Sequence, residues 1–131
     1  MTTEHFHRLL TIFLAVGFIN CSAATIEGKV VKVADGDTVT VLDADNKKHK
    51  VRLTGIDAPE RRQAYGNKSA ESLMNLVLLK DVTVQSTGTD RYKRELGKVL
   101  LNGLYVNLEQ VKGGFAWRCK HYQRDRPQVI T

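Results

Sequence analysis

The 131-residue chain predicts an α+β fold that is mainly β. The expected form is a five-stranded β-barrel, with a helix between strands 3 and 4 and a short second helix near the end. Three observations carry this. Five short stretches alternate in polarity or are rich in β-branched residues, and turn residues bound them. One stretch repeats its apolar residues at helical spacing. The chain is long enough for one domain and not two, and a barrel lets a sheet this small close its edges.

The elements follow in order. Thr25–Ala34 alternates at Ile26, Gly28 and Val30, then shifts phase to Val31 and Val33, which predicts a strand with a bulge. Asp35-Gly36-Asp37 is turn chemistry, and Thr38–Leu42 is a β-branched second strand. After a polar turn, Lys48–Leu53 alternates with Val51 and Leu53 on one face and Lys50 and Arg52 on the other. Arg52 therefore points away from the core of its own strand. Gly55–Gly66 reads as a loop. Asn67 is placed to cap a helix reaching about Leu79, with Ala70, Leu73, Met74 and Val77 on its apolar face. Val82–Thr87 and Leu96–Leu101 are the last two strands, with the charged loop Thr89–Glu95 between them. Asn107 with Gln110 resembles a capping box for a second helix that stops at Gly113-Gly114. This order of strands and helices is the plan of an OB-fold.

The N-terminus reads as a leader and not as part of the barrel. Arg8 precedes the apolar run Leu9–Ile19, and Cys21-Ser22-Ala23-Ala24 is a small-residue exit. The run is short for a membrane span. Residues 1–24 are expected to be a secretory signal peptide and 25–131 a single domain, exported to a periplasm or beyond the cell. Removal of Cys21 would leave Cys119 alone, so no internal disulfide is expected. Cys119 is expected to be a buried or half-buried thiol. Formal net charge is +6 with a pI near 9.5, and Arg8 and Glu4 would leave together. Such a balance suits polyanionic partners, nucleic acid among them, and serves solubility equally well.

Five acids lie in turns or loops: Asp35, Asp37, Asp57, Glu60 and Asp90. Acids that converge from separate loops call for a cation, and oxygen-only ligation suits Ca²⁺ or Mg²⁺. Arg52 and Arg94 are the type of group that grips phosphate bidentately. As residue types alone, these acids are equally good turn formers. Asp43-Ala44-Asp45-Asn46 hints at a calcium loop, but its sixth position is Lys48 and its twelfth Thr54. His49 and His121 have no third partner for zinc.

Three blocks decide between the readings. Asp35-Gly36-Asp37-Thr38-Val39, Arg52 with Asp57-Ala58-Pro59-Glu60, and Thr89-Asp90-Arg91-Tyr92-Lys93-Arg94 resemble, in order and spacing, the signature of the staphylococcal nuclease (thermonuclease, SNase-like) family. The resemblance runs from about Ile26 to Trp117. It implies a Ca²⁺-dependent nuclease acting on DNA and RNA with little sequence specificity, leaving 3′-phosphate and 5′-hydroxyl ends. Asp37, Asp57 and the backbone carbonyl of Ala58 would be metal ligands, with Asp35 behind them. Glu60 would be the general base or would order the water, and Arg52 and Arg94 would hold the phosphate. Tyr92 and Tyr122 would stack on nucleotide. A monomer with no stable protein partner, and off the membrane once the leader is removed, is expected.

Two departures stand out. Arg94 lies in Lys93-Arg94-Glu95, where the family usually has small neighbours. The family's C-terminal helix has no counterpart through Thr131, which implies a less stable barrel. A nucleic-acid-binding OB-fold without catalysis is therefore the alternative reading.

Overall fold

The structure is a computed structural model that describes residues 24–119. The expected leader, Tyr122 and the segment where a C-terminal helix would fall lie outside the described residues.

Five strands form the barrel: β1 (Ala24–Asp35), β2 (Thr38–Asp43), β3 (Lys48–Leu53), β5 (Asp81–Thr89) and β6 (Glu95–Leu101). Three two-residue strands join them: β4 (Ile56–Asp57), β7 (Leu104–Tyr105) and β8 (Trp117–Arg118). β1 pairs antiparallel with β2 and β5, β2 with β3, and β5 with β6. A parallel contact between β3 and β6, with Val51 opposite Glu95, closes the ring. The expected five-stranded barrel is present, mixed in sense. β1 carries register shifts between Val30 and Lys32 and between Val33 and Asp35. That is where the polarity pattern changes phase, because a bulge turns the strand and swaps the face its residues meet.

Inward positions of the strands make the core, with Val30, Val41, Val51, Val84 and Val99 fully buried. β-Branched residues suit this pleated interior. Helix α1 (Gly66–Val77) closes one side with Ala70, Leu73 and Val77, the apolar face read from the sequence. Helix α2 (Val106–Lys112) packs beside it and ends at Gly113 and Gly114, the latter at φ 76°.

Three expectations are corrected. Asn67 does not cap α1: the cap is Tyr65, in a left-handed conformation (φ 66°) with no side-chain hydrogen bond. Asn107 and Gln110 do not form a capping box, since the cap of α2 is Tyr105. Both amides are fully buried and serve the barrel instead. Asn107 accepts from Val99 N–H at 3.0 Å and donates to the carbonyls of Thr54 and Gly97. Gln110 donates to the carbonyls of Gly36 and Ser69 and accepts from Ser72. Finally, the loop 55–66 contains β4, which pairs with β8.

Candidate active site

The site grows from the β1–β2 turn. Gly36 has no room for a side chain, because a Cβ there would overlap Ser69 and crowd Ala58. Its carbonyl takes the Gln110 amide at 2.8 Å, so α2 supports the turn from below. Asp37 follows and is buried, and its carbonyl accepts from Leu53 N–H at 2.8 Å. Asp37 Oδ1 accepts from the Thr38 hydroxyl, and Oδ2 from Ala58 N–H at 2.9 Å. The first acidic block is thereby locked to the second.

Arg52 joins them. Its Nη2 lies 3.4 Å from Asp37 Oδ2 and 3.2 Å from Asp57 Oδ1. Nη1 donates to the carbonyls of Leu53 and Ile56 at 2.8 and 3.0 Å. The guanidinium lies off the core face of β3, as the alternation implies, and is almost buried by the loop that β4 opens. Two carboxylates from separate segments thus converge on one cationic nitrogen. Their mutual repulsion makes this arrangement costly unless positive charge lies between them. Oxygen donors of this kind suit a hard cation. Among the described residues no three acidic, histidine or cysteine side chains gather. A metal here would take these two carboxylates and complete its shell with main-chain oxygen and water.

The remaining sequence-derived residues make no hydrogen bond or ion pair to this cluster among the described residues. Asp35 accepts from Arg61 N–H at 3.3 Å. Glu60 is exposed, and its carboxylate makes no hydrogen bond or ion pair among the described residues. Arg94 is held by Asp90, Nε to Oδ2 at 2.8 Å. Asp90 also accepts from the N–H groups of Tyr92 and Arg94. Burial works against the charge on Asp90, but the bonds from the Arg94 backbone and guanidinium outweigh it, so its carboxyl lies below the usual range. Tyr92 is exposed, with the Arg91 and Arg94 guanidinium groups 4.8 and 5.4 Å from its ring centre.

The family described as staphylococcal nuclease homologue matches residues 50–130. The chain belongs to that family. A Haemophilus influenzae relative called an uncharacterized endonuclease is 46% identical over 117 residues, covering 89% of this chain and 65% of the relative. An Escherichia coli O157:H7 protein of the same description is 45% identical, covering 78% and 67%. A Shigella flexneri micrococcal nuclease is 36% identical, covering 76% and 62%. The chain spans about two thirds of the length of these curated relatives.

Sequence reading of this staphylococcal nuclease homologue missed three residues that shape the site. Gln63 receives the Glu60 N–H at 2.8 Å. Arg61 reaches back to the carbonyls of Ala34 and Val33 at 2.7 and 3.2 Å and ties the loop to the end of β1. Gly66 packs so closely on the Glu60 carbonyl that a Cβ would overlap it. Only Gly66 had a sequence signal, as a glycine opening a helix after a tyrosine.

Proposed function

We propose that this chain is a secreted Ca²⁺-dependent nuclease that hydrolyses phosphodiester bonds in DNA and RNA with little sequence preference, leaving 3′-phosphate and 5′-hydroxyl ends. The observation that carries the reading is the convergence of Asp37 and Asp57 on Arg52. Such a site matches an anionic phosphodiester and a divalent cation together. Asp37, Asp57 and the Ala58 carbonyl would hold Ca²⁺, which neutralises phosphate charge and keeps a water close.

The chain's own residues do the rest. Glu60, exposed and with a carboxylate that makes no bond among the described residues, takes the proton of the attacking water. Arg52 and Arg94 bind phosphate oxygens and stabilise the charge that grows on them, each worth on the order of 3 kcal/mol by analogy with oxyanion donors. Asp90 sets the angle of Arg94. Export rests on the leader-like N-terminal sequence, in which Arg8 precedes the apolar run Leu9–Ile19 and a small-residue exit.

The test uses plasmid and single-stranded DNA with the mature protein, in Ca²⁺ or in a chelator. Glu60→Gln and Arg94→Ala variants run beside it. The expected result is Ca²⁺-dependent loss of long DNA that both variants abolish. Cleavage that survives chelation or persists in both variants would overturn the mechanism. Binding without cleavage would support the non-catalytic reading.

A further inference from the structure

We propose that Trp117 is a nucleobase platform, its indole stacking on the base beside the phosphate that Arg52 binds; this rests on the nucleic-acid reading above. The register places Trp117 directly opposite Asp57 in the antiparallel β4–β8 pair. Opposed residues in such a pair project to the same face, with Cβ atoms about 4.5–5.5 Å apart. The indole therefore stands beside a carboxylate that Arg52 grips at 3.2 Å.

The pair is fixed from both sides. Cys119 N–H donates to the Gly55 carbonyl at 3.0 Å, and Arg52 Nη1 donates to the Ile56 carbonyl at 3.0 Å. One guanidinium thus holds the phosphate position and also anchors the strand that carries the platform.

Trp117 is 53% exposed. An indole offers a large apolar surface, and this one leaves about half of it exposed beside a polar site. Three aromatics are exposed among the described residues: Tyr65, Tyr92 and Trp117. Lys68 lies over the Tyr65 ring, and Arg91 and Arg94 lie over Tyr92. Among the described residues no cation lies over the Trp117 ring and its side chain makes no hydrogen bond. Every base has a π-face, so a platform of this kind tolerates any sequence.

The sequence holds a single tryptophan, so intrinsic fluorescence reports on Trp117 alone. The experiment titrates the full chain, carrying Glu60→Gln so that the probe survives, with two dye-labelled probes. One is an oligothymidylate of about ten nucleotides, within the span one OB-fold covers. The other is an abasic oligodeoxynucleotide of the same length. Both are expected to bind by anisotropy, and only the thymidylate quenches the tryptophan. Trp117→Ala weakens thymidylate binding roughly 5- to 150-fold and leaves abasic binding unchanged, while Trp117→Phe recovers most of the loss. Equal weakening of both probes by Trp117→Ala would make the residue merely structural and overturn the proposal. Thymidylate binding with no quenching and no loss in Trp117→Ala would overturn it as well, with the nuclease reading intact. If the parent binds neither probe, the nucleic-acid reading falls and Trp117 falls with it.

Discussion

Glu60 and Gln63 are bonded to each other twice. The Glu60 N–H donates to Gln63 Oε1 at 2.8 Å, and the Gln63 N–H donates to the Glu60 carbonyl at 2.8 Å. The backbone of the proposed base is therefore fixed while its carboxylate stays free. Gln63→Ala removes one of these bonds at an exposed position. Turnover should fall roughly 10- to 100-fold, the size of loss that a displacement of about 1 Å produces, with KM nearly unchanged. A thermal melt should move by only a few degrees. Steady-state kinetics on a fluorogenic oligonucleotide would check this, and a loss confined to KM would argue against the positioning role.

The barrel and the three site blocks were legible in the sequence because each rests on a local signal. Alternation marks strands, and Asp-Gly-Asp or Asp-Ala-Pro-Glu marks a turn with acids in it. What was illegible rests on distance in the fold. Asn107 and Gln110 carry the same spacing as a capping box, and only burial distinguishes an amide that caps from one that bridges strands. β4 and β8 are two residues each, too short for any periodicity, and their pairing joins segments about sixty positions apart. Tyr65 caps α1 in a left-handed conformation that a β-rich aromatic rarely adopts. Nothing in its neighbours announces it.

Asn107 offers a stability test independent of catalysis. Its side chain serves Val99 N–H and the carbonyls of Thr54 and Gly97, so it stitches α2 to β6 and to the turn after β3. Asn107→Ala leaves these groups without their partner and opens a small void. A loss of about 3 kcal/mol is expected. Asn107→Asp keeps the acceptor for Val99 but turns carboxylate oxygen toward two carbonyls, and should be no better. Urea unfolding of both variants would measure it. A loss under about 1 kcal/mol would mean that water replaces the amide.

Ca²⁺ at the proposed site would couple to stability through Arg52. Asp37 is 6% exposed, and among the described residues its one ion pair is with Arg52. Arg52→Ala leaves a nearly buried carboxylate uncompensated, at a cost of about 3 kcal/mol in the presence of a chelator. Ca²⁺ bound between Asp37 and Asp57 would restore positive charge there, so the gap between variant and parent should narrow as Ca²⁺ is added. Saturation at one hundred times the dissociation constant should itself add about 2.7 kcal/mol to the parent. Melting curves across a Ca²⁺ series, with Asp57→Asn as the control that loses the effect, would test this. A melt insensitive to Ca²⁺ in the parent would remove the metal from the proposed site.

Acid should loosen the site before it unfolds the barrel. The His49 ring 2.7 Å away and the Lys47 N–H lower the carboxyl of Asp43, with burial opposing them. On Asp90 burial also opposes the charge, and the bonds from Arg94 and Tyr92 overcome it. Both folded values lie below the ordinary 3.8. A depressed folded value means that the native state favours the ionised group. The stability it adds is therefore present in full above the unfolded value and is lost as pH falls through the folded one. Unfolding midpoints should be flat near neutrality and drop below about pH 4. Asp90→Asn and Asp43→Asn should each be less stable at pH 7 and show a shallower acid decline. The two variants should differ in activity. Asp90→Asn frees Arg94 and should cut turnover at pH 7, whereas Asp43→Asn, at the far end of β2, should not. Equal activity loss in both would show that the Asp90–Arg94 pair acts through stability alone and not by aiming the guanidinium.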